Sequence, residues 1–172
     1  MAIIGARSSA VAAETAAPAA GVFAELDTSS AGTPAPATVF TDEAGTERTL
    51  ADFRGRFVLV NFWATWCAPC VREMPSLERL QAKLGGDDFT VIALSEDRSG
   101  WAKIAPFRDR LELTGLPLYH DVGSAMMFAT KAASLPTTIL FDREGREIGR
   151  HVIPAEWDSD DAVGLLRRHM GN

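Results

Sequence analysis

The spacing of apolar side chains changes several times along the chain, and each change marks an element. Residues 38–41 and 47–50 flank Asp42-Glu43-Ala44-Gly45, an acidic glycine turn, and predict a hairpin. Residues 49–55 predict one helical turn closed by Gly55. Residues 57–64 form a near-continuous, β-rich apolar run, the pattern of a strand covered on both faces. Over 69–84 the period switches to three and four. Val71, Met74, Leu77, Leu80 and Leu84 share one stripe, and Gly85-Gly86 is the stop. Pro75 falls inside that stripe and predicts a kink.

The second half repeats the alternation. Residues 89–95 predict a second buried strand, and 100–113 a helix with Trp101, Ile104, Phe107 and Leu111 on one face. A short strand over 117–120 and a helix rich in Met and Ala over 124–133 follow. Residues 136–142 and 146–153 flank the turn Arg143-Glu144-Gly145 as a second hairpin. The last helix, over 157–170, opens on Asp158, Asp160 and Asp161 and closes on Arg167, Arg168 and His169, matching the helix dipole at both ends. Strands alternating with helices and closed by an antiparallel pair predict a mixed α/β sandwich.

The first 37 residues break this rhythm. Residues 1–20 are alanine-rich, and 27–38 have the Pro/Ser/Thr/Gly composition of a linker. Between them, Val22, Phe23 and Leu26 offer the weak face of an alanine-rich helix. Residues 1–37 are therefore expected to form a tether or partly helical extension, and 38–172 the domain. The start of the chain lacks the apolar stretch of a signal peptide, having only Ile3 and Ile4 as large side chains before Arg7.

Charge and length narrow the classes. The 172 residues carry a net charge of −6, which argues against nucleic acid as a partner because phosphate binding needs a basic surface. No apolar run approaches the ~18–20 residues of a membrane span. The length suits one domain with an appendage.

The chemistry lies in Cys67-Ala68-Pro69-Cys70, which holds the chain's two cysteines. They fall between the end of a buried strand and the start of a helix, where free backbone N–H groups and the dipole favour an anion on Cys67. That position, with a Cys-x-x-Cys partner, lowers a thiol pKa from about 8.5 and raises the thiolate fraction. Pro69 suits a first helical turn, where its missing N–H costs nothing. Cys70, one turn in, is expected to be more buried and less ionised. Cys67 then attacks a partner disulfide and Cys70 resolves the mixed disulfide. A purely structural bridge over so short a loop restricts the unfolded chain by only ~2 kcal/mol. Zinc needs two more ligands, and His120, His151 and His169 have no finger-like spacing. Covalent haem needs His directly after the second cysteine, where Val71 stands.

The segment Val60-Asn61-Phe62-Trp63-Ala64-Thr65-Trp66-Cys67-Ala68-Pro69-Cys70-Val71-Arg72-Glu73-Met74-Pro75 resembles the active site of thioredoxin-like proteins of the TlpA/ResA/CcmG group. Ser134-Leu135-Pro136-Thr137-Thr138 is similar to that group's second landmark, and Pro154-Ala155-Glu156-Trp157 to a stretch before the last helix of its TlpA branch, which the chain resembles most. The resemblance runs from about Thr38 to the C-terminus.

It implies an α/β, thioredoxin-like three-layer sandwich with a mixed central sheet, an N-terminal β-hairpin and an inserted βα unit between the second buried strand and Pro136. It implies a thiol–disulfide oxidoreductase of the bacterial periplasm, tethered to the inner membrane or exported. Such a protein is a monomeric reductant with no cofactor beyond its redox-active cysteines. Its clients are disulfide-bearing proteins of cytochrome maturation or oxidase copper-centre assembly, and its electron donor a membrane thiol reductase of the DsbD/CcdA type.

Residue by residue, the resemblance makes Pro136 a cis-proline opposite the cysteines, presenting the Leu135 and Thr137 backbone to an extended client segment. Glu73 becomes the proton-exchanging group and raises the thiol pKa values by like-charge repulsion; the alternative is a solvated residue paired with Arg72 or Lys83. Asn61 stands where thioredoxin proper has a buried aspartate and cannot itself move a proton. Trp66 is expected to shield the sulfurs and form contact surface, Trp63 to be core. Ser95-Glu96-Asp97-Arg98 reads as a hydrophilic loop bordering the site.

Two other activities compete. A Sco-like copper-binding assembly factor would use both cysteines and a distant histidine such as His151, but that family separates its cysteines by three residues. A peroxidase relative requires Thr where Ala64 stands. A disulfide-forming oxidant remains open, because spacing alone does not set a reduction potential.

Overall fold

A computed structural model describes residues 25–171. The alanine-rich stretch 1–20 and the Val22 and Phe23 positions of the expected helical face lie outside the described residues. The elements are β1 (Phe40–Thr41), β2 (Glu47–Arg48), β3 (Phe57–Trp63), α1 (Ala68–Leu84), β4 (Phe89–Ser95), α2 (Trp101–Leu111), β5 (Leu118–His120), α3 (Ala125–Ala129), β6 (Thr137–Phe141), β7 (Glu147–His151) and α4 (Asp160–Met170), with short 3-10 turns at Leu50–Phe53 and Val122–Ser124. The sheet order is β2-β1-β5-β4-β3-β6-β7. β3, β4 and β5 are parallel, and the remaining pairings are antiparallel.

Alternation along the central strands divides the core. Leu59 and Trp63 of β3, with Val91 and Ala93 of β4, pack with Met74, Leu77 and Leu80 of α1, Ile104 and Phe107 of α2, and Leu165 and Leu166 of α4. Val58, Val60 and Phe62, with Ile92 and Leu94, face the other way onto Leu50 and Met126. Three helices thus cover one face, and α3 with a 3-10 turn covers the other. This is the mixed three-layer thioredoxin-like arrangement that the resemblance implies.

Two helices differ from their expected bounds. α4 begins at Asp160, not 157, because the Ser159 side chain accepts the Ala162 N–H as its N-cap. α3 covers only Ala125–Ala129 of the expected 124–133. Thr130 Oγ1 turns back onto the Met126 carbonyl, and Lys131 takes a left-handed φ of 57°. α1 runs through Pro75.

Residues 27–37, linker-like in composition, are held against the sheet. Asp27 and Arg150 exchange both backbone hydrogen bonds at 2.9 Å, and Gly32 and Thr33 bond to Glu147. Leu26 is buried against Gly149, where an added Cβ would lie 2.8 Å from the Leu26 Cβ. Composition shows no apolar run here, because backbone hydrogen bonds do most of the holding. No helix among the described residues is long and apolar enough to cross a membrane.

Candidate active site

β3 delivers the site. Its last residue, Trp63, is followed by Ala64-Thr65-Trp66, and Cys67 then caps α1. The Cys67 sulfur accepts the Cys70 N–H at 3.3 Å, so it occupies the anion-favouring position that the sequence predicts. Cys67 and Cys70 are joined in a disulfide. Cys67 is 6% exposed and Cys70 0%, which preserves the expected order of accessibility. Trp66 beside them is 70% exposed, so its ring is available as contact surface, whereas Trp63 is core.

The Leu135–Pro136 peptide is cis. β6 begins one residue later and pairs Thr137 with Phe62 and Thr138 with Asn61. That antiparallel register carries Pro136 to the end of β3 from which the cysteine loop departs. Thr137 is buried, its hydroxyl bonded to the Ser134 carbonyl, and Leu135 is half-buried. Trp66, Leu135, Pro136 and Thr137 thus lie at the same end of the sheet as the disulfide.

Glu73 is 2% exposed, and the solvated alternative with an Arg72 or Lys83 partner does not hold. It lies on the inner face of α1 because it follows Cys70 by three residues, close to one helical turn. Oε1 accepts the Asn61 amide at 2.7 Å; Oε2 accepts the Ala155 N–H at 3.1 Å and Trp157 Nε1 at 3.3 Å. Asn61 also donates to Thr138 Oγ1 at 2.9 Å. Burial raises the Glu73 pKa to about 7 against the pull of its three donors. The carboxyl therefore changes charge near neutral pH, one turn along the helix from Cys70.

Composition hides a second set of acids. Ser95-Glu96-Asp97-Arg98 reads as a hydrophilic loop, yet Glu96 and Asp97 are buried because β4 lies between β3 and β5. Asp97 takes hydrogen bonds from the Thr65 N–H at 2.8 Å, Thr65 Oγ1 at 2.7 Å and Ser95 Oγ at 2.9 Å. It fastens the turn that presents Trp66 and Cys67. Asp121, also buried, accepts the Met126 and Met127 N–H groups and caps α3. Neither Glu96 oxygen makes a hydrogen bond of good geometry, although the Ser124 and Asp121 side chains lie against its carboxyl and Ser124 partly offsets its burial. Burial first, then the Asp121 and Asp97 carboxylates, push its pKa up. Trp157, read from sequence as the start of the last helix, is instead buried above Glu73. Its N–H bonds Ser76 Oγ at 3.0 Å. The Ser159-Asp160-Asp161 cap signal was the available clue to that displacement.

Among the described residues, no group of three or more His, Cys, Asp or Glu side chains is arranged to hold a metal ion. The chemistry present is a dithiol–disulfide pair, one cysteine slightly exposed and one fully buried, with a carboxyl whose pKa is raised to about 7 on the same helix.

Comparison with known proteins adds to this geometry. The Redoxin family model matches residues 30–166. A thiol-disulfide oxidoreductase ResA of Geobacillus kaustophilus is 36% identical over 150 residues, spanning 86% of this chain and 80% of the relative. A Chlorobium tepidum structure assigned as a thiol:disulfide interchange protein DsbE is 25% identical with a TM-score of 0.73, covering 82% of this chain and 98% of that one. A thiol:disulfide interchange protein from Bacteroides sp. is also 25% identical, with a TM-score of 0.68 over 83% and 91% of the two chains.

Proposed function

Because the chain belongs to the Redoxin family and is a thiol–disulfide oxidoreductase of the ResA/DsbE type within the TlpA/ResA/CcmG group, we propose that it works as a reductant of client protein disulfides. The observation that carries this reading is the Cys67 sulfur acting as N-cap of α1 while paired with the fully buried Cys70.

In the reduced protein, the Cys67 thiolate attacks one sulfur of a client disulfide. The Cys67–client bond forms, the client S–S bond breaks, and the departing client thiolate takes a proton. Cys70, losing its proton to the Glu73 carboxylate, then attacks the Cys67 sulfur. The client leaves with both its sulfurs reduced, and Cys67–Cys70 is left oxidised. Trp66 and the backbone of Leu135, Pro136 and Thr137 hold the extended client segment across the disulfide. Two electrons per turnover return the disulfide to the dithiol. Their source is a membrane thiol reductase of the DsbD/CcdA type. The setting is the periplasmic face of the inner membrane, with the protein a monomer and its clients in cytochrome maturation or oxidase copper-centre assembly.

The deciding experiment has three arms. Insulin-disulfide reduction with dithiothreitol should be fast for the parent and lost in Cys67→Ser. The equilibrium potential against glutathione should fall well below the ~ −180 mV of an isomerase. A potential near the ~ −120 mV of a strong oxidant reverses the direction of electron flow. Stoichiometric Cu(I) binding without disulfide reduction replaces the reading with copper delivery.

A further inference from the structure

Large apolar side chains left in water are unremarkable when scattered, but here they are not scattered. Six are exposed among the described residues: Val39, Trp66, Val122, Phe128, Val152 and Ile153. The topology carries every one to the end of the sheet that holds the disulfide. Trp66 precedes Cys67. Val122 lies two residues past the end of β5, and Phe128 sits in α3, which Asp121 caps at that same end. Thr41 faces His120 in antiparallel register, which places Val39 beyond the end of β5 as well. Val152 and Ile153 follow His151, which pairs with Thr138 two residues past the cis-proline.

The charge at this end departs from that of the whole chain, which is −6. Arg72 of α1, Arg98 after β4, Lys103 in the first turn of α2 and Lys131 between α3 and Pro136 are all exposed. None takes part in an ion pair among the described residues. The carboxylates of the region are withdrawn: Glu73, Glu96, Asp97 and Asp121 are buried, and Glu156 and Asp158 are held by Arg79. Exposed acids occur on the flank beyond β7, at Glu25 and Asp27. A protein with an excess of acid thus presents apolar side chains and unpaired cations around its reactive sulfur.

We infer that this end recognises an extended client segment whose cysteine is flanked by apolar and acidic side chains. The inference rests on the reductase reading, since the occupant must bring a sulfur to Cys67. Apolar client side chains cover Trp66 and Phe128, while client carboxylates meet Arg72, Arg98 and Lys131. A second copy of this chain fits less well, because the same cations would face one another. The cations steer the encounter and the apolar side chains slow departure.

The test uses the full reduced chain and three synthetic peptides of equal length, each with one disulfide. Their flanks are Leu/Glu, Leu/Lys or Ser/Gln. The Leu/Glu peptide should be reduced with kcat/KM about tenfold above the Leu/Lys peptide, and the ratio should shrink as salt screens the charges. Arg98→Glu combined with Lys131→Glu should bring that ratio to about one or below it. Phe128→Ser, at a side chain 76% exposed, should instead collapse the advantage of Leu/Glu over Ser/Gln through KM. Equal rates on all three peptides, or preference for Leu/Lys, overturns the inference. So does dimerisation through this face, or binding to anionic vesicles, that is lost in Phe128→Ser while the peptide rates are equal. Failure to reduce any peptide, or a small aromatic disulfide, overturns the reductase reading itself and is distinguishable from both.

Discussion

Asn61 donates its amide to Glu73 across 2.7 Å, from the middle of the sheet to the inner face of the helix that carries the cysteines. The pair keeps an ionisable group at the site although the sheet residue is neutral. Burial destabilises the carboxylate form while Asn61, Ala155 and Trp157 each stabilise it with one donor, and the balance leaves Glu73 at about 7.

Glu73→Gln should remove that balance. Disulfide reduction near pH 7 should slow roughly a hundredfold, the lower end of what one general acid–base group contributes. The inflection near pH 7 should also disappear from the rate profile of the variant. A slower enzyme with an unchanged pH profile would mean that Glu73 only supports the packing of Ala155 and Trp157.

Cys70→Ser should trap clients as mixed disulfides on Cys67, because the resolving thiol is gone and its replacement lies fully buried beneath. Mass spectrometry of complexes run without reductant reads the attachment site. Adducts on Cys70 in the converse Cys67→Ser variant, with none on Cys67 in Cys70→Ser, would exchange the two roles.

Glu96→Gln should stabilise the fold at neutral and alkaline pH. A carboxyl whose folded pKa is raised contributes stability that is fully present below its ordinary range and is lost as pH rises through the folded value. The parent should therefore lose stability between pH 5 and 8, by an amount on the order of 1–3 kcal/mol from this group, with Glu73 adding to the slope in the same direction. Urea unfolding across that window should show a flatter dependence in the variant. An equal slope would mean that Glu96 ionises as readily folded as unfolded.

Gly149→Ala should loosen the segment 26–34 that lies along β7. The added Cβ would fall 2.8 Å from the Leu26 Cβ and 3.0 Å from the Asp27 carbonyl, and neither is the free end of a long side chain. A cost of about 1–3 kcal/mol is typical of such overpacking. Limited proteolysis should then cut within residues 25–35 before the domain itself is attacked.

The central strands, α1 and the Cys-x-x-Cys turn were legible because their signals are short-range: apolar runs, a 3.6 period, a proline in a first turn. The cis-proline came from a resemblance, since Leu135-Pro136 alone reads as the start of an ordinary strand. What composition could not reveal was burial imposed from a distance. Glu96 and Asp97 look like loop acids until β4 is seen between two parallel neighbours. Trp157 looks like a helix opener until Glu73 and Ser76 claim its two N–H groups. Residues 27–37 look like spacer because their attachment to β7 runs through main-chain atoms, which no side-chain pattern reports.

That attachment also sets a direction. Because Asp27 lies opposite Arg150 and Pro34 opposite Arg146, this segment runs against β7, and tracing it backward leads out at the disulfide end. The described chain therefore enters the fold at the same end of the sheet as its reactive sulfur, so entry and chemistry share one heading.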